Sequence, residues 1–325
     1  MNNKIKAIFR KMEGVDKYNI LTFNTHERYQ TMQCLTGHNF YAFTSDKDKE
    51  WFTEHAPVPD NYYQFPKNSI YPGVTIDFIL AHSKFGQLQR AYEIQSYLQV
   101  PIICLEHTLP LEQWSDEQLG QFQNFYGDVN VFITEYSKNQ WGVNAPSDVI
   151  YHAVDTDLFK PAGLQRTGVL TVAHDFIKRD YALNYQGWNR ITQGLDRKVV
   201  GATEGLSEAA KDVDDLVKSY QQAAVYINPS VLSPVPTSML EAMACGCPVV
   251  SMDNCAIPEF IEHGVNGYLS NDEAELRQWI EHLLDKPELA HQMGEAARKT
   301  ILEKCGKERF ISEWNNIFDE TYRRI

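Results

Sequence analysis

Short apolar runs that alternate with helical patterns constrain the fold of this chain more than any other feature of its sequence. The runs are Tyr18–Phe23, Asp77–Ala81, Pro101–Leu105, Val129–Thr134, Val149–Tyr151, Val169–Val172, Lys198–Val200, Ala224–Asn228 and Pro248–Met252. Several are apolar throughout instead of alternating with polar residues, which is the pattern of parallel strands covered on both faces. The sequence therefore predicts an α/β protein built on doubly wound parallel sheets.

A polar stretch between the fifth and sixth runs, residues 155–168, divides the chain. It contains Pro161 and two glycines, a composition typical of a linker. A length of 325 residues is also ample for two domains. We therefore predict one domain over residues 1–160 and a second over residues 161–307. After Asn271 the pattern is helical to the end of the chain.

The composition excludes several classes of protein. With 43% hydrophobic and 22% charged residues, the chain has the composition of a globular protein and not of a disordered one. Its formal net charge is −13, and acids outnumber bases in both halves, whereas a nucleic-acid module needs clustered positive charge. Six cysteines in a chain of this length indicate reduced thiols instead of a disulfide framework. Without an apolar leader or a long apolar run, the protein is expected to be cytoplasmic and to meet a membrane only from its surface.

The segment over residues 224–250 carries the most informative chemistry: a buried strand, a Pro/Ser loop, a helix and a second strand. Pro236, Thr237 and Ser238 predict the helix start, because Thr and Ser accept hydrogen bonds from free N–H groups and Pro suits the first turn. A helix N-terminus at the carboxyl end of a strand is an anion site. Glu241, one turn farther on, would reach a ribose diol beside that anion. On spacing alone, Glu241 as an early-helix acid favoured by the helix dipole is an equal alternative.

Several motifs carry a resemblance to a known family. Leu240–Val250 reads LEAMACGCPVV, and it resembles the nucleotide-sugar-binding segment of the GT-B glycosyltransferases of family 4, also called group 1. Ile257–Ile261, Gly264–Leu269 and Tyr151–Pro161 are similar to further motifs of that family, in the same order. The resemblance implies a GT-B fold of two Rossmann-like domains facing a cleft. The first domain would lie on the acceptor side, joined by a returning helix over residues 308–325, and the second would bind the nucleotide sugar.

The resemblance also implies a set of donor-binding residues: Glu241, Ser233, Thr237, Ser238, Met239, Lys178 and Arg179. Glu241 would hold the ribose, and the backbone N–H groups of Thr237, Ser238 and Met239 would cradle the diphosphate. Lys178 and Arg179 would stabilise the negative charge that develops on the leaving diphosphate. A solvated surface pair is the alternative role for these two cations.

Ser233 departs from the family pattern, in which a Glu stands eight residues before the position of Glu241. In the family that first acid contacts the donor hexose. Serine is short and neutral, so three outcomes are open: another side chain holds the sugar, the donor is presented differently, or this chain has lost turnover.

Histidines end two strands of the first predicted domain. His107 follows the run at residues 101–105, and the resemblance implies that it hydrogen-bonds the donor sugar and polarises the reacting centre. A lone histidine is otherwise more often structural. On the acceptor side we predict His26, Arg28 and His82. The alternatives are a helix cap at Thr25 with an Arg–Glu surface pair, and a second helix cap at His82.

Together these features predict a hexosyltransferase. By resemblance it would move a hexose from a nucleoside diphosphate sugar, with UDP as the expected carrier, to a hydroxyl of a glycan, lipid-linked or other acceptor. Attack on the front face would retain the anomeric configuration, with the leaving diphosphate taking the acceptor's proton. The nucleobase is expected near the loop at residues 200–203.

No metal or cofactor is implied beyond the donor substrate. The one D-x-D motif, Asp212–Asp214, lies in a polar helical pattern and not at a strand end, where it could hold a divalent cation against a diphosphate.

Two rival functions stay open at this point. The substitution at Ser233 suggests a catalytically silent nucleotide-sugar-binding or accessory protein. A glycosyltransferase that acts on a modified base in nucleic acid is the second rival, and the acidic charge of both halves weighs against it.

Overall fold

A computed structural model describes residues 2–46, 48–53 and 56–325 of the chain. The chain divides into two compact units, unit 1 (Met1–Ala153 and Glu308–Ile325) and unit 2 (Val154–Lys307). This division comes earlier than the predicted boundary after residue 160. The backbone N–H of Val154 already donates to the carbonyl of Cys305 at 2.9 Å, so the start of the predicted linker is fixed inside unit 2.

Unit 1 is built on a parallel sheet of seven strands. They are β1 (Asn19–Thr22), β2 (Asn39–Ala42), β3 (Tyr62–Gln64), β4 (Phe78–Ala81), β5 (Ile102–Glu106), β6 (Val129–Phe132) and β7 (Ser147–Val149). Their order in the sheet is β3-β2-β1-β4-β5-β6-β7. The helices up to the end of β7 are α1 (Asn3–Glu13), α2 (Glu27–Cys34), α3 (Gln87–Leu98), α4 (Asp116–Gln123) and α5 (Glu135–Trp141). Leu21, Ile79 and Ile102 are fully buried in the core beneath α3.

Unit 2 is built on a parallel sheet of five strands. They are β8 (Thr167–Val172), β9 (Arg197–Val200), β10 (Ala223–Asn228), β11 (Val249–Ser251) and β12 (Gly267–Leu269), in the order β12-β11-β10-β8-β9. Its helices are α6 (Asp180–Leu183), α7 (Tyr185–Ile191), α8 (Val213–Gln222), α9 (Thr237–Ala244), α10 (Glu273–Asp285) and α11 (Pro287–Lys304). Among the described helices of the chain, none combines the length and the apolar character that crossing a membrane requires.

The strand order reverses once in each sheet. In unit 1, β1 pairs on one side with β2 and on the other with β4. In unit 2, β8 pairs with β9 and with β10. Ligands of doubly wound sheets bind beyond the carboxyl ends of the strands at such switch points. The predicted α/β architecture with two doubly wound parallel sheets is confirmed, and it directs attention to the loops after β1, β4, β8 and β10.

The last helix, α12 (Lys307–Arg323), packs on unit 1. Its Trp314 Nε1 donates to the hydroxyl of Tyr29 at 3.2 Å, although 285 residues separate the two in sequence. Phe318 of the same helix is fully buried and lies 5.6 Å from Phe78, measured between ring centroids. The aromatic face of α12 therefore closes the core of unit 1.

Candidate functional site

Hydrogen bonds join the loops at the carboxyl edge of the unit 2 sheet. The N–H of Val231, in the loop after β10, donates to the carbonyl of Ala182 in α6 at 2.9 Å. The N–H of Ala256, in the loop after β11, donates to the carbonyl of Pro234 at 3.2 Å. The segments that follow β8, β10 and β11 are thus fixed against one another, which gives the candidate donor site a defined backbone frame.

Helix α9 begins at Thr237, as the sequence predicted, but the expected side-chain capping is wrong. Pro236 occupies the N-cap position and offers no side-chain hydrogen bond, while the Ser238 hydroxyl accepts a hydrogen bond from the hydroxyl of Tyr226 at 2.9 Å. The prediction that the N–H of Met239 is free to hold the diphosphate is also wrong, because this N–H donates to the carbonyl of Pro236 at 3.1 Å. Within the described residues, the N–H groups of Thr237 and Ser238 have no hydrogen-bond partner. The start of α9 therefore offers two backbone donors to an anion.

Glu241 lies one helical turn beyond those donors. It is 7% exposed, so it does not extend into bulk water as an early-helix surface acid would. Its Oε2 accepts a hydrogen bond of 2.9 Å from the hydroxyl of Tyr220 in α8. Burial first, and the charge of Glu241 second, raise the pKa of Tyr220 well above its ordinary value, so the phenol keeps its proton and donates. A buried carboxylate held in one orientation suits recognition of a diol.

An arginine holds the two helices that carry this pair. Arg166 Nη1 donates to the carbonyl of Tyr220 at 3.1 Å, and its Nη2 donates to the carbonyl of Cys245 at 2.6 Å. These carbonyls lie at the ends of α8 and α9, where helices leave acceptors unsatisfied. The sequence did not identify Arg166 or Tyr220 as part of the site. Their hydrogen bonds join distant parts of the chain, and no local sequence pattern indicates such contacts.

The remaining predicted donor residues lie at the same edge of the sheet. Ser233 is half-buried in the loop between β10 and α9. Lys178 and Arg179 are exposed in the turn after β8, the strand next to β10. The fold thus places two cations and the N-terminus of α9 beyond the carboxyl ends of adjacent strands.

The loop after β9 approaches the loop after β8 closely. Gly201 has φ of +131°, and a Cβ on it would lie 2.0 Å from the carbonyl oxygen of Ala173. The N–H of Ala202 donates to His174 Nδ1 at 3.1 Å. Only glycine fits this contact, so the loop predicted to lie near the nucleobase has a fixed backbone.

The D-x-D motif begins a helix, in agreement with its predicted helical setting. Asp212 is the N-cap of α8, and its side chain accepts a hydrogen bond from the N–H of Asp215 at 2.8 Å. Asp212 and Asp214 are exposed. In the described parts of the chain, no three His, Cys, Asp or Glu side chains are grouped so that they could hold a metal ion.

A second polar cluster lies at the carboxyl edge of the unit 1 sheet. Three histidines surround the ring of Tyr29, namely His82 after β4, His107 after β5 and His152 after β7, and a fourth, His26 after β1, lies beside His107. The Tyr29 ring centroid lies 4.6 Å from that of His107 and 5.2 Å from that of His152. His26 and His107 are stacked with centroids 6.3 Å apart. We call these five residues the histidine cluster.

Burial keeps the inner histidines uncharged. Desolvation lowers the pKa of His82 and of His152 to about 3, and it lowers the pKa of His107 well below the ordinary value. His82 Nδ1 and His107 Nε2 are 3.3 Å apart, so one proton is shared in a hydrogen bond between them. His107 is half-exposed at its strand end, so its other ring nitrogen can donate to or accept from a ligand.

The structure distinguishes the roles of the predicted acceptor-side residues. His26 is exposed and caps α2, because its Nδ1 accepts from the N–H of Tyr29 at 3.4 Å, so the alternative of a cap at Thr25 is wrong. Arg28 is exposed on the first turn of the same helix. His82 is fully buried behind His107 and caps no helix. Any effect of His82 on a ligand therefore passes through His107.

Sequence reasoning missed His152 and Tyr29. His152 follows the fifth predicted strand, so the rule that strand ends meet at one edge of a sheet could have identified it. Nothing in the sequence indicates that Tyr29 is central, because it lies in the short helix α2 with polar neighbours.

Two doubly wound parallel sheets, each with polar residues gathered where its strand order reverses, define a protein of the GT-B fold class. Solved structures share this fold. Sucrose-phosphate synthase of Thermosynechococcus elongatus superposes with a TM-score of 0.73 over 95% of this chain and 100% of that one, at 13% identity. HepE of Anabaena, solved in complex with UDP and glucose, gives 0.72 over 94% and 100%, at 15% identity. Likeness at this level of identity shows the fold alone.

The sequence matches are more specific. Residues 209–300 match the family model described as glycosyl transferases group 1. An uncharacterized glycosyltransferase of Haemophilus influenzae is 29% identical over 216 residues, which are 58% of this chain. The match spans 61% of the length of that relative. Residues 209–300 of the chain therefore resemble the group 1 glycosyltransferases.

Proposed function

We propose that the protein is a glycosyltransferase that moves a hexose from a nucleoside diphosphate sugar, with UDP as the carrier, to a hydroxyl acceptor. The observation that carries this proposal is the start of α9. Two N–H groups, at Thr237 and Ser238, have no partner among the described residues, and they precede a buried Glu241 that Tyr220 orients. All of these residues lie inside the segment that matches the family model.

In the proposed binding mode, the N-terminus of α9 holds the diphosphate, because its amide donors and helix dipole both favour an anion. Lys178 and Arg179 add positive charge where the leaving group becomes more negative in the transition state. Glu241 accepts hydrogen bonds from the ribose hydroxyls.

In the proposed reaction, His107 hydrogen-bonds the donor sugar as a neutral imidazole. Its lowered pKa supports this role, because a neutral ring can donate at one nitrogen and accept at the other. His26 and Arg28, both exposed at the same edge of the unit 1 sheet, are assigned to the acceptor. The bond from the anomeric carbon to the diphosphate breaks as the acceptor oxygen attacks the same face. The acceptor's proton passes to the leaving diphosphate, with no metal required.

Calorimetric titration with UDP tests the donor site. Glu241→Gln removes the charge of the carboxylate and keeps its size, and we expect it to weaken UDP binding by about 1–3 kcal/mol because a charge-assisted hydrogen bond is lost. Glu288→Gln is the matched control, since Glu288 is an exposed acid near the start of another helix of unit 2. Equal dissociation constants for all three proteins would remove the ribose assignment.

Ser233 favours one second candidate, a silent nucleotide-sugar-binding protein. UDP release from a panel of UDP-sugars, measured with and without EDTA and with simple sugar acceptors, separates the two. Release that survives EDTA supports the metal-independent enzyme. Donor binding without release in any combination, together with release after Ser233→Glu, would instead favour loss of turnover at this position.

A further inference from the structure

Helix α1 is attached to unit 1 by polar groups instead of an apolar face. Asn3 exchanges two hydrogen bonds of 2.9 Å with the backbone of Ile76, through its amide nitrogen and its amide oxygen. Arg10 forms an ion pair with the fully buried Asp77, with Nε and Oδ1 3.2 Å apart. Between them, Ala7 is fully buried. Residues 3, 7 and 10 thus form the inner face of the helix.

The opposite face of α1 is apolar and exposed. Ile5, Ile8, Phe9 and Met12 follow the spacing of one helical stripe, and they are 45%, 37%, 48% and 76% exposed. We call these four residues the α1 stripe. A helix that packs on a core normally turns its apolar side inward, so the reversed orientation needs a reason.

Aromatic side chains lie beside α1. Tyr71 and Tyr97 are 60% and 81% exposed, and they line a groove of about 720 Å³ together with Asn3 and Lys6. Tyrosine combines an apolar ring with a polar hydroxyl, which suits it to a boundary between apolar and aqueous phases. The surface on the Lys6 side of α1 therefore carries exposed amphipathic rings.

The charge around the α1 stripe is opposite in sign to that of the chain. Within α1, the cations Lys4, Lys6 and Lys11 outnumber Glu13, and Arg10 is paired with Asp77 on the inner face, whereas the whole chain carries −13. Lys11 Nζ donates to the carbonyl of Arg323 at 3.0 Å. The exposed Arg323, at the end of α12, therefore lies next to α1. An apolar stripe bordered by cations is the pattern of a helix that lies in the interface of an anionic bilayer.

We propose that the α1 stripe docks the protein on an anionic phospholipid surface. A second copy of the chain is disfavoured as the occupant, because a two-fold interface would place the patch against itself and bring like charges together. Helix α1 contacts Ile76 and Asp77, which precede β4, so it lies at the amino edge of the unit 1 sheet. The histidine cluster lies at the opposite, carboxyl edge, so docking leaves that edge uncovered.

Vesicle flotation of the full chain tests this proposal. We expect binding to phosphatidylcholine vesicles that contain about 30% phosphatidylglycerol, little binding to pure phosphatidylcholine, and a decline with added salt. The double substitution Phe9→Asp with Met12→Asp should lower the partition coefficient about tenfold or more, because apolar insertion is lost and negative charge is added. Lys4→Glu alone should reduce binding to the anionic vesicles by a smaller factor.

Val265→Asp with Leu302→Asp is the matched control, because these two apolar residues of unit 2 are 50% and 48% exposed. This variant should bind anionic vesicles as the unaltered protein does, and UDP affinity should be the same in all variants. Equal vesicle binding by the α1 variant and the control would overturn the proposal. So would failure of the unaltered protein to bind, or a concentration-dependent dimer in sedimentation that the α1 variant abolishes without any effect on vesicles.

Discussion

The side chains of the histidine cluster show how burial selects a protonation state. Each inner histidine follows a strand of the unit 1 sheet, and among the described residues no carboxylate raises its pKa. Repulsion between a charged imidazole and its neighbouring histidines would lower the pKa of His82 and of His107 further. Three imidazoles beside the Tyr29 ring can therefore take part in hydrogen bonding without introducing charge.

Their titration makes stability depend on pH. In the unfolded chain a histidine has a pKa near 6.5, whereas the folded state holds that of His82 at about 3. As pH falls below about 6.5, the unfolded state gains protons that the folded state does not, so stability decreases by up to about 1.4 kcal/mol per pH unit for each such group.

His82→Asn should reduce this dependence, since Asn does not titrate and can keep the hydrogen bond to His107. Between about pH 6.5 and 5, we expect the slope of unfolding free energy against pH to fall by about 1 kcal/mol per unit. Denaturant unfolding at several pH values measures it. Gln292→Asn is the control, because it changes an exposed side chain that does not titrate, and it should leave the slope unchanged. Identical slopes in all three proteins would contradict the buried, neutral state of His82.

His107 is predicted to act in turnover and not in nucleotide binding. His107→Ala should lower the rate of UDP release about tenfold or more, because a hydrogen bond to the sugar in the transition state is lost. The dissociation constant for UDP should stay the same, as it should for the control His291→Ala. Unchanged turnover together with unchanged UDP affinity would show that His107 serves only the structure.

At the level of elements, the position of the proposed donor site depends on how closely two helices approach each other. Gly294 of α11 faces the turn that ends α9, and a Cβ on Gly294 would lie 2.1 Å from the carbonyl oxygen of Gly246. Gly246 itself has φ of +71°, which ends α9 and leads into β11. The contact of α11 with α9 therefore sets the position of the helix that carries Glu241.

Gly294→Ala should destabilise the protein, although alanine is the better helix former. We expect a loss of about 1–3 kcal/mol, because two helices must separate to admit the methyl group. Gly120→Ala in α4 is the matched control, since a Cβ there meets nothing within 4 Å. That variant should be neutral or more stable by up to about 1 kcal/mol. Thermal unfolding measures both, and equal stability of the two variants would show that the α11–α9 contact adapts freely.

The sequence predicted the central strands of the sheets, but it did not predict β2 and β3. The central strands such as β1, β4 and β10 are apolar on both faces, so their composition alone identifies them. β3 was missed because it is an edge strand of only three residues, and β2 was missed because every second residue in it is only partly buried.

Helix α1 was missed for a different reason. Its inward face is held by polar groups, whereas sequence patterns look for an apolar face turned to a core. The exposed α1 stripe became visible only once the structure showed which side of the helix packs.

For the whole molecule, the sequence identified the candidate site residues but not the residues that contact and orient them. Glu241 and His107 were predicted from family motifs, because a short segment holds each motif. Tyr220, Arg166 and Tyr29 were missed because their contacts join distant parts of the chain. The bond from Trp314 to Tyr29, for example, follows from the packing of α12, which no local pattern describes.

The central claim is that the start of α9 and Glu241 form the nucleotide site of unit 2. A crystal structure of the protein soaked with UDP tests it most directly. We expect diphosphate oxygens within about 3.2 Å of the N–H groups of Thr237 and Ser238, and ribose hydroxyls that donate hydrogen bonds to the carboxylate of Glu241. A nucleotide bound elsewhere, with Glu241 still held by Tyr220 and touching no ligand, would contradict it.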